Sequence, residues 1–216
     1  MLDKKYILFD LDGTLTDSGE GILNTVKYAL SFFGKENTDI SILRKFIGPP
    51  LIDAFQNFTE LSFDDATTAV AKYRERYKDI GIFENKVYEG IPELLQNLKN
   101  ASKTLIVATS KPHIFANRIL EYFDLAKYFS CVVGAEFDGT LNYKHEVIEE
   151  VLKRCKIKDK SQAIMIGDRH HDIDGAKQNG IESIGVLYGF AEPDELEKAG
   201  ADYIAKSPLD IEKIIL

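Results

Sequence analysis

Short, unbroken apolar runs recur along this chain of 216 residues, and segments of helical period separate most of them. Tyr6–Phe9 is the first; residues 104–108, 131–133, 163–166 and 183–187 follow, with a weaker run at Tyr203–Ala205. A run of this kind has no polar face, so it suits a strand covered on both sides, as in a parallel sheet flanked by helices. The helical faces between the runs are equally plain. Ile91, Leu94, Leu95 and Leu98 share one stripe, Val147, Ile148, Val151 and Leu152 share another, and residues 209–216 predict a last short helix. Strand alternating with helix predicts an α/β protein built on a doubly wound parallel sheet. Right-handed crossovers then bring the carboxyl ends of the strands to one edge, where such sheets bind their ligands.

The alternation breaks between residues 18 and 83, where every pattern is helical. Ile22, Leu23, Val26, Leu30 and Phe33 form one stripe, closed by Gly34 in the place of a C-terminal cap. Phe63, Ala66, Val70, Tyr73 and Tyr77 form a second, and Gly48-Pro49-Pro50 marks a rigid loop between the two. The chain therefore divides into a core of residues 1–16 and 84–216 and a helical insert of residues 17–83. The insert leaves directly after the most acidic strand end, so it is read as a cap over the strand ends.

Composition narrows the partners. A net charge of −8, from 27 basic and 35 acidic residues, argues against a nucleic-acid polymer, because phosphate backbones reward clustered cations. A small phosphorylated metabolite needs only one or two local cations and a metal. No apolar stretch reaches the length of about eighteen residues that a bilayer span requires. The first apolar run is too short for a signal-peptide core, so a cytoplasmic protein is expected, as a monomer. Cys131 and Cys155 lack metal-ligand spacing and are read as free, reduced core thiols.

The chemistry gathers at the strand ends. The first run leads into Asp10-Leu11-Asp12-Gly13-Thr14. Carboxylates two apart in extended chain point the same way. They repel unless a cation joins them, and the glycine lets the backbone approach a ligand. A calcium loop is excluded, because Thr14 and Gly21 stand where its fifth and twelfth ligands belong. The second run ends in Thr109-Ser110-Lys111-Pro112; a hydroxyl followed by amides opening a helix at Pro112 makes an anion site. Lys144 begins a helix, where the helix dipole disfavours a cation unless an anion compensates. The fourth run ends in Gly167-Asp168-Arg169-His170-His171-Asp172, which supplies further oxygen ligands for a hard cation. Adjacent histidines in such a turn are expected to point in different directions, which speaks against a histidine metal site. Carboxylates, a hydroxyl and a lysine assembled in this way suit phosphoryl transfer. One carboxylate attacks phosphorus, a divalent metal neutralises the repulsion, and a lysine and amides take up equatorial charge.

The pattern resembles the haloacid dehalogenase superfamily over essentially the whole chain. Asp10-Leu11-Asp12-Gly13-Thr14 resembles its first motif, Thr109 its second, Lys144 its third, and residues 167–172 its fourth. Within the superfamily the chain is most similar to phosphoglycolate phosphatase-like hydrolases, some of which act as nucleotidases. Gly175-Ala176-Lys177-Gln178-Asn179-Gly180 and Gly185-Val186-Leu187-Tyr188-Gly189 support that grouping. The resemblance implies a Rossmann-like core with an inserted helical cap, and a phosphatase that uses Mg²⁺. It implies Asp10 as nucleophile and metal ligand, and Asp12 as acid–base group with its backbone carbonyl on the metal. Asp168 completes the metal site, with Asp172 beside it. Thr109, Lys144, and the backbone around Asp12, Gly13 and Ser110 hold the phosphoryl oxygens. Lys144-His145 stands where the family often has Lys-Pro, and Ser110 where it often has Asn.

Three rivals remain at the level of sequence. A hexose-phosphate mutase shares the aspartyl-phosphate. A receiver-like signalling protein also uses aspartates, a hydroxyl and a lysine. A phosphate-binding protein would keep the fold without turnover.

Overall fold

The computed structural model describes residues 2–216. Along the chain, β1 (Tyr6–Phe9) and β2 (Thr16–Asp17) precede α1 (Gly19–Ser31), α2 (Ile40–Arg44), α3 (Leu51–Thr59) and α4 (Phe63–Tyr77). Then come β3 (Lys86–Val87), α5 (Ile91–Asn100), β4 (Thr104–Pro112), α6 (His113–Tyr122) and β5 (Phe129–Ala135). The chain continues with α7 (Lys144–Arg154), β6 (Ala163–Gly167), α8 (His170–Asn179) and β7 (Glu182–Val186). It finishes with α9 (Glu195–Ala199), β8 (Tyr203–Ala205) and α10 (Pro208–Ile215). Two compact units result, one of Met1–Thr16 with Val87–Leu216 and one of Asp17–Lys86.

The larger unit is built on a parallel six-stranded sheet in the order β5-β4-β1-β6-β7-β8, a Rossmann-like arrangement. From β1 the chain winds outward through β4 to β5, then crosses back to β6 and winds outward the other way. The winding therefore reverses beside β1, and the carboxyl ends of β1 and β6 flank the reversal. The apolar runs become strands because both sheet faces are covered. Leu8, Ile106, Ala108, Val133 and Met165 join Val147, Ile148, Val151 and Leu152 of α7 and Ala176 of α8 in one buried cluster. On the opposite face Ile7, Phe9, Leu105, Val107, Ile164 and Ile166 are fully buried.

The smaller unit is helical. α4 packs against α1 and α3. α1 closes as its sequence predicts: Gly34 takes φ +64°, its N–H donates to the Ser31 carbonyl (3.3 Å), and Lys35 donates to Leu30 (3.1 Å). Inside this unit Arg76 makes a bidentate pair with Glu84, at 2.8 and 2.9 Å.

Two expectations are corrected. Phe63 is 64 % exposed, because the buried face of α4 starts one turn later and runs through Ala66, Ala69, Tyr73 and Tyr77. Cys131 and Cys155 are free but only half-buried. Cys131 lies on the edge strand β5 and Cys155 at the C-cap of α7, so both pack at the margin of the core. Among the described residues no helix is long and apolar enough to cross a membrane.

Leu8 is fully buried in the central strand. Leu8→Ala should lower the unfolding free energy by about 3 kcal/mol through lost transfer energy and the cavity left behind. Denaturant titration checks this, and a loss under about 1 kcal/mol would contradict the packing described.

Candidate active site

Strand register places the site. Phe9 pairs with Val107 on one side and Ile166 on the other, so Asp10, Ala108 and Gly167 come level at the next position. The Asp10 N–H continues the ladder to the Ile166 carbonyl at 2.9 Å. Asp168 follows one residue beyond β6, and Asp172 sits in the first turn of α8. Oxygens of Asp10, Asp168 and Asp172, all buried, lie within 4.8 Å of one another. Lys144, the first residue of α7, reaches into this group. Its Nζ lies 2.7 Å from Asp10 Oδ1 and 2.8 Å from Asp172 Oδ1, and donates to the Ala108 carbonyl at 3.0 Å. The anion that a lysine at a helix N-terminus demands is therefore this pair of carboxylates.

Close backbone approach makes the cluster possible. Gly13 has φ +84°, and a Cβ there would stand 2.1 Å from Asp168 Oδ2. At Gly167 a Cβ would meet Asp172 Cγ at 2.1 Å. Asp168 accepts from the Thr14 hydroxyl (3.3 Å) and from the Phe190 N–H (2.8 Å), while Asp172 Oδ2 accepts from the Arg169 N–H (3.1 Å).

Electrostatics at the cluster oppose ionisation. Burial raises Asp10 from 3.8 to about 6; Lys144 lowers it, and the Asp172 and Asp12 charges push it back up. Burial, then the neighbouring Asp172 and Asp10, hold Asp168 well above the ordinary carboxylate range. For Lys144 burial alone would depress the ammonium, but Asp10 and Asp172 more than offset this and raise it. Three buried carboxylates against one ammonium leave the cluster short of positive charge. A divalent cation with oxygen preference fits that donor set and that deficit.

The other expected residues divide. Thr109 is buried beside the cluster's strand ends, and its Oγ1 accepts from the Lys111 N–H at 3.2 Å. Asp12 stands apart from the carboxylate group: its Oδ2 pairs with Lys111 Nζ at 2.6 Å, and among the described residues its buried Oδ1 has no hydrogen-bond partner. Ser110 does not open a helix. β4 runs on to Pro112, with its pairing to β5 shifted after Ala108, and α6 begins only at His113. The helix-start anion site is thus displaced past residues 109–111. The histidines also differ from expectation. Their rings lie 3.8 Å apart at 44°, although successive side chains in a helix such as α8 diverge. His170 Nδ1 sits 2.8 Å from Glu195 Oε1, and neither ring joins the carboxylate group. Lys111 is the site residue that sequence reasoning passed over. Its place two residues after Thr109, at the end of a buried strand, was the available signal.

The haloacid dehalogenase-like hydrolase family model matches residues 7–186. A predicted phosphatase from Clostridium acetobutylicum has a similar structure, with TM-score 0.94 and 48 % identity over 100 % of this chain and 99 % of that one. A 5'-nucleotidase of Pseudomonas aeruginosa is 46 % identical over 88 % of this chain and 86 % of its own. The tyrosine-protein kinase PtkA of Mycobacterium tuberculosis is 33 % identical over 93 % of this chain and 68 % of its own.

Protons would compete with a metal ion for this cluster. Asp10 holds its proton below about pH 6, whereas a cation requires it ionised. Divalent-metal affinity should therefore weaken as pH falls through that value, by up to about tenfold per pH unit for each competing proton. Calorimetric titration with Mn²⁺ on both sides of pH 6 checks this. Affinity that stays constant across the range would contradict it.

Proposed function

The chain belongs to the haloacid dehalogenase-like hydrolase family, and within it we propose a magnesium-dependent phosphatase that removes phosphate from a small metabolite through an aspartyl-phosphate on Asp10. The observation that carries this reading is Lys144 spanning Asp10 and Asp172 at 2.7 and 2.8 Å, beside Asp168, at the sheet's switch point. A cluster whose charge repels itself would be a liability in a structural protein. In a phosphoryl-transfer site it provides a seat for a cation and a nucleophile next to it.

The chain's own residues divide the work. Asp10 attacks phosphorus, displacing the substrate's oxygen and forming an acyl phosphate. Asp12 protonates the departing oxygen and then takes a proton from the water that attacks the acyl phosphate. Lys111, 2.6 Å from Asp12 Oδ2, keeps that carboxylate beside the reacting group. Thr109, the amides of the turn through Asp12 and Gly13, the backbone at Ser110, and Lys144 bind the phosphoryl oxygens. Asp10, the Asp12 carbonyl, Asp168 and Asp172 would hold Mg²⁺, which when bound neutralises charge between nucleophile and substrate. The helical unit, inserted straight after the Asp10 turn, acts as the cap that selects the substrate. Nucleoside monophosphates head the candidate class, in keeping with the name of the Pseudomonas relative, and phosphoglycolate remains in it through the sequence resemblance.

Release of free phosphate from a panel of phosphorylated metabolites tests the reading, and it separates hydrolysis from mutase transfer, which returns the phosphate to a sugar. Asp10→Asn should cut turnover by about a thousandfold or more while the circular dichroism spectrum is kept. A folded variant with near-normal turnover would overturn the mechanism.

A further inference from the structure

The turn from Asp168 to Asp172 carries two of the three clustered carboxylates, within 4.8 Å of Asp10, which they repel when ionised. Lys144 opposes this from inside the cluster. A second restraint comes from outside it. Glu195, the first residue of α9, places Oε1 where it accepts from the Arg169 guanidinium Nε at 2.9 Å and from the His170 backbone N–H at 2.8 Å. The same oxygen lies 2.8 Å from His170 Nδ1, and Oε2 accepts from the Glu192 N–H at 2.9 Å. Its side chain is 11 % exposed. Both of its oxygens accept from the turn or from its own loop, and Glu195 stands outside the carboxylate cluster. It also touches none of the groups assigned to the reaction.

The segment that leads to Glu195 makes two more attachments. The Phe190 N–H donates to Asp168 Oδ2 at 2.8 Å, and the Tyr188 hydroxyl donates to the Thr14 carbonyl at 2.9 Å. The loop after β7 therefore grips both acidic turns, and Glu195 is its charged contact on the Arg169-His170 peptide.

We propose that Glu195 is a positioning residue that holds the Asp168–Asp172 turn against the repulsion of its own carboxylates, so that the cation site is already assembled before the cation arrives. The idea rests on reading the cluster as a metal site. Without the clamp the turn relaxes outward, and metal binding must first draw it back. Glu195 then governs metal affinity more than it governs chemistry or overall stability.

Metal-stripped wild-type protein, Glu195→Gln and Glu195→Asp are titrated with Mn²⁺ while free ion is followed by electron paramagnetic resonance. Thermal midpoints are recorded in chelator and with Mn²⁺, and phosphate release is measured at saturating Mg²⁺. The expected result is a Kd for Mn²⁺ raised about tenfold in Glu195→Gln, with a smaller rise in Glu195→Asp, which keeps the charge on a shorter arm. The midpoint in chelator should stay near wild type, the rise in midpoint produced by Mn²⁺ should shrink, and kcat should stay within about threefold at saturating metal. An unchanged Kd in a folded variant overturns the proposal, as does an equal fall in midpoint with and without metal. If Glu195→Gln does not fold, Glu195→Asp decides by the same criteria. Wild-type protein that binds Mn²⁺ but releases no phosphate would sink the phosphatase reading and leave this one intact; wild-type protein that binds no Mn²⁺ would sink this one.

Discussion

Repulsion among Asp10, Asp168 and Asp172 is the constraint around which the larger unit is organised. Burial first, and the neighbouring carboxylate charges after it, oppose ionisation and hold Asp10 and Asp168 above the ordinary carboxylate range. The fold nevertheless brings them together. The sheet fixes where two of the strand ends lie, glycines at 13 and 167 remove the side chains that would keep the turns apart, and Lys144 supplies part of the missing charge. Each device is local, but all of them serve one point at the carboxyl edge of the sheet.

The rigidity behind that point comes from ordinary apolar packing. β1 and β6 are buried along nearly their whole length, so the backbone that presents Asp10 and Asp168 has little freedom. Hydrophobic burial thus maintains an electrostatic arrangement that would not assemble in a looser chain. The loops are where the arrangement is adjusted. The turn after Asp12 and the segment after β7 bond to each other and to Asp168, and the Asp168–Asp172 turn is closed by the Arg169 N–H on Asp172.

Most of this was legible in the sequence, for reasons that differ by element. The six apolar runs were readable as strands because strands covered on both faces carry no polar alternation to confuse them. Asp10, Asp168, Asp172 and Lys144 were readable because each sits at a strand end or helix start, where such residues converge. What escaped notice depends on contacts between distant segments. The continuation of β4 to Pro112 follows from its shifted pairing with β5, which no local pattern announces. Lys111 gains its importance only from Asp12, nearly a hundred positions earlier in the chain. Phe63 fits the stripe of α4 by spacing alone, and only the packing of α4 leaves it outside. The close histidine rings stand beside a carboxylate from α9, 2.8 Å from His170, a contact between distant segments.

The account depends on one shared cation among three carboxylates. Anomalous diffraction from crystals grown with Mn²⁺ examines that directly. The account predicts one strong peak per chain, bounded by Asp10, Asp168 and Asp172 and lost in Asp168→Asn. A peak elsewhere in the chain, or none at that position in the wild-type protein, would contradict it.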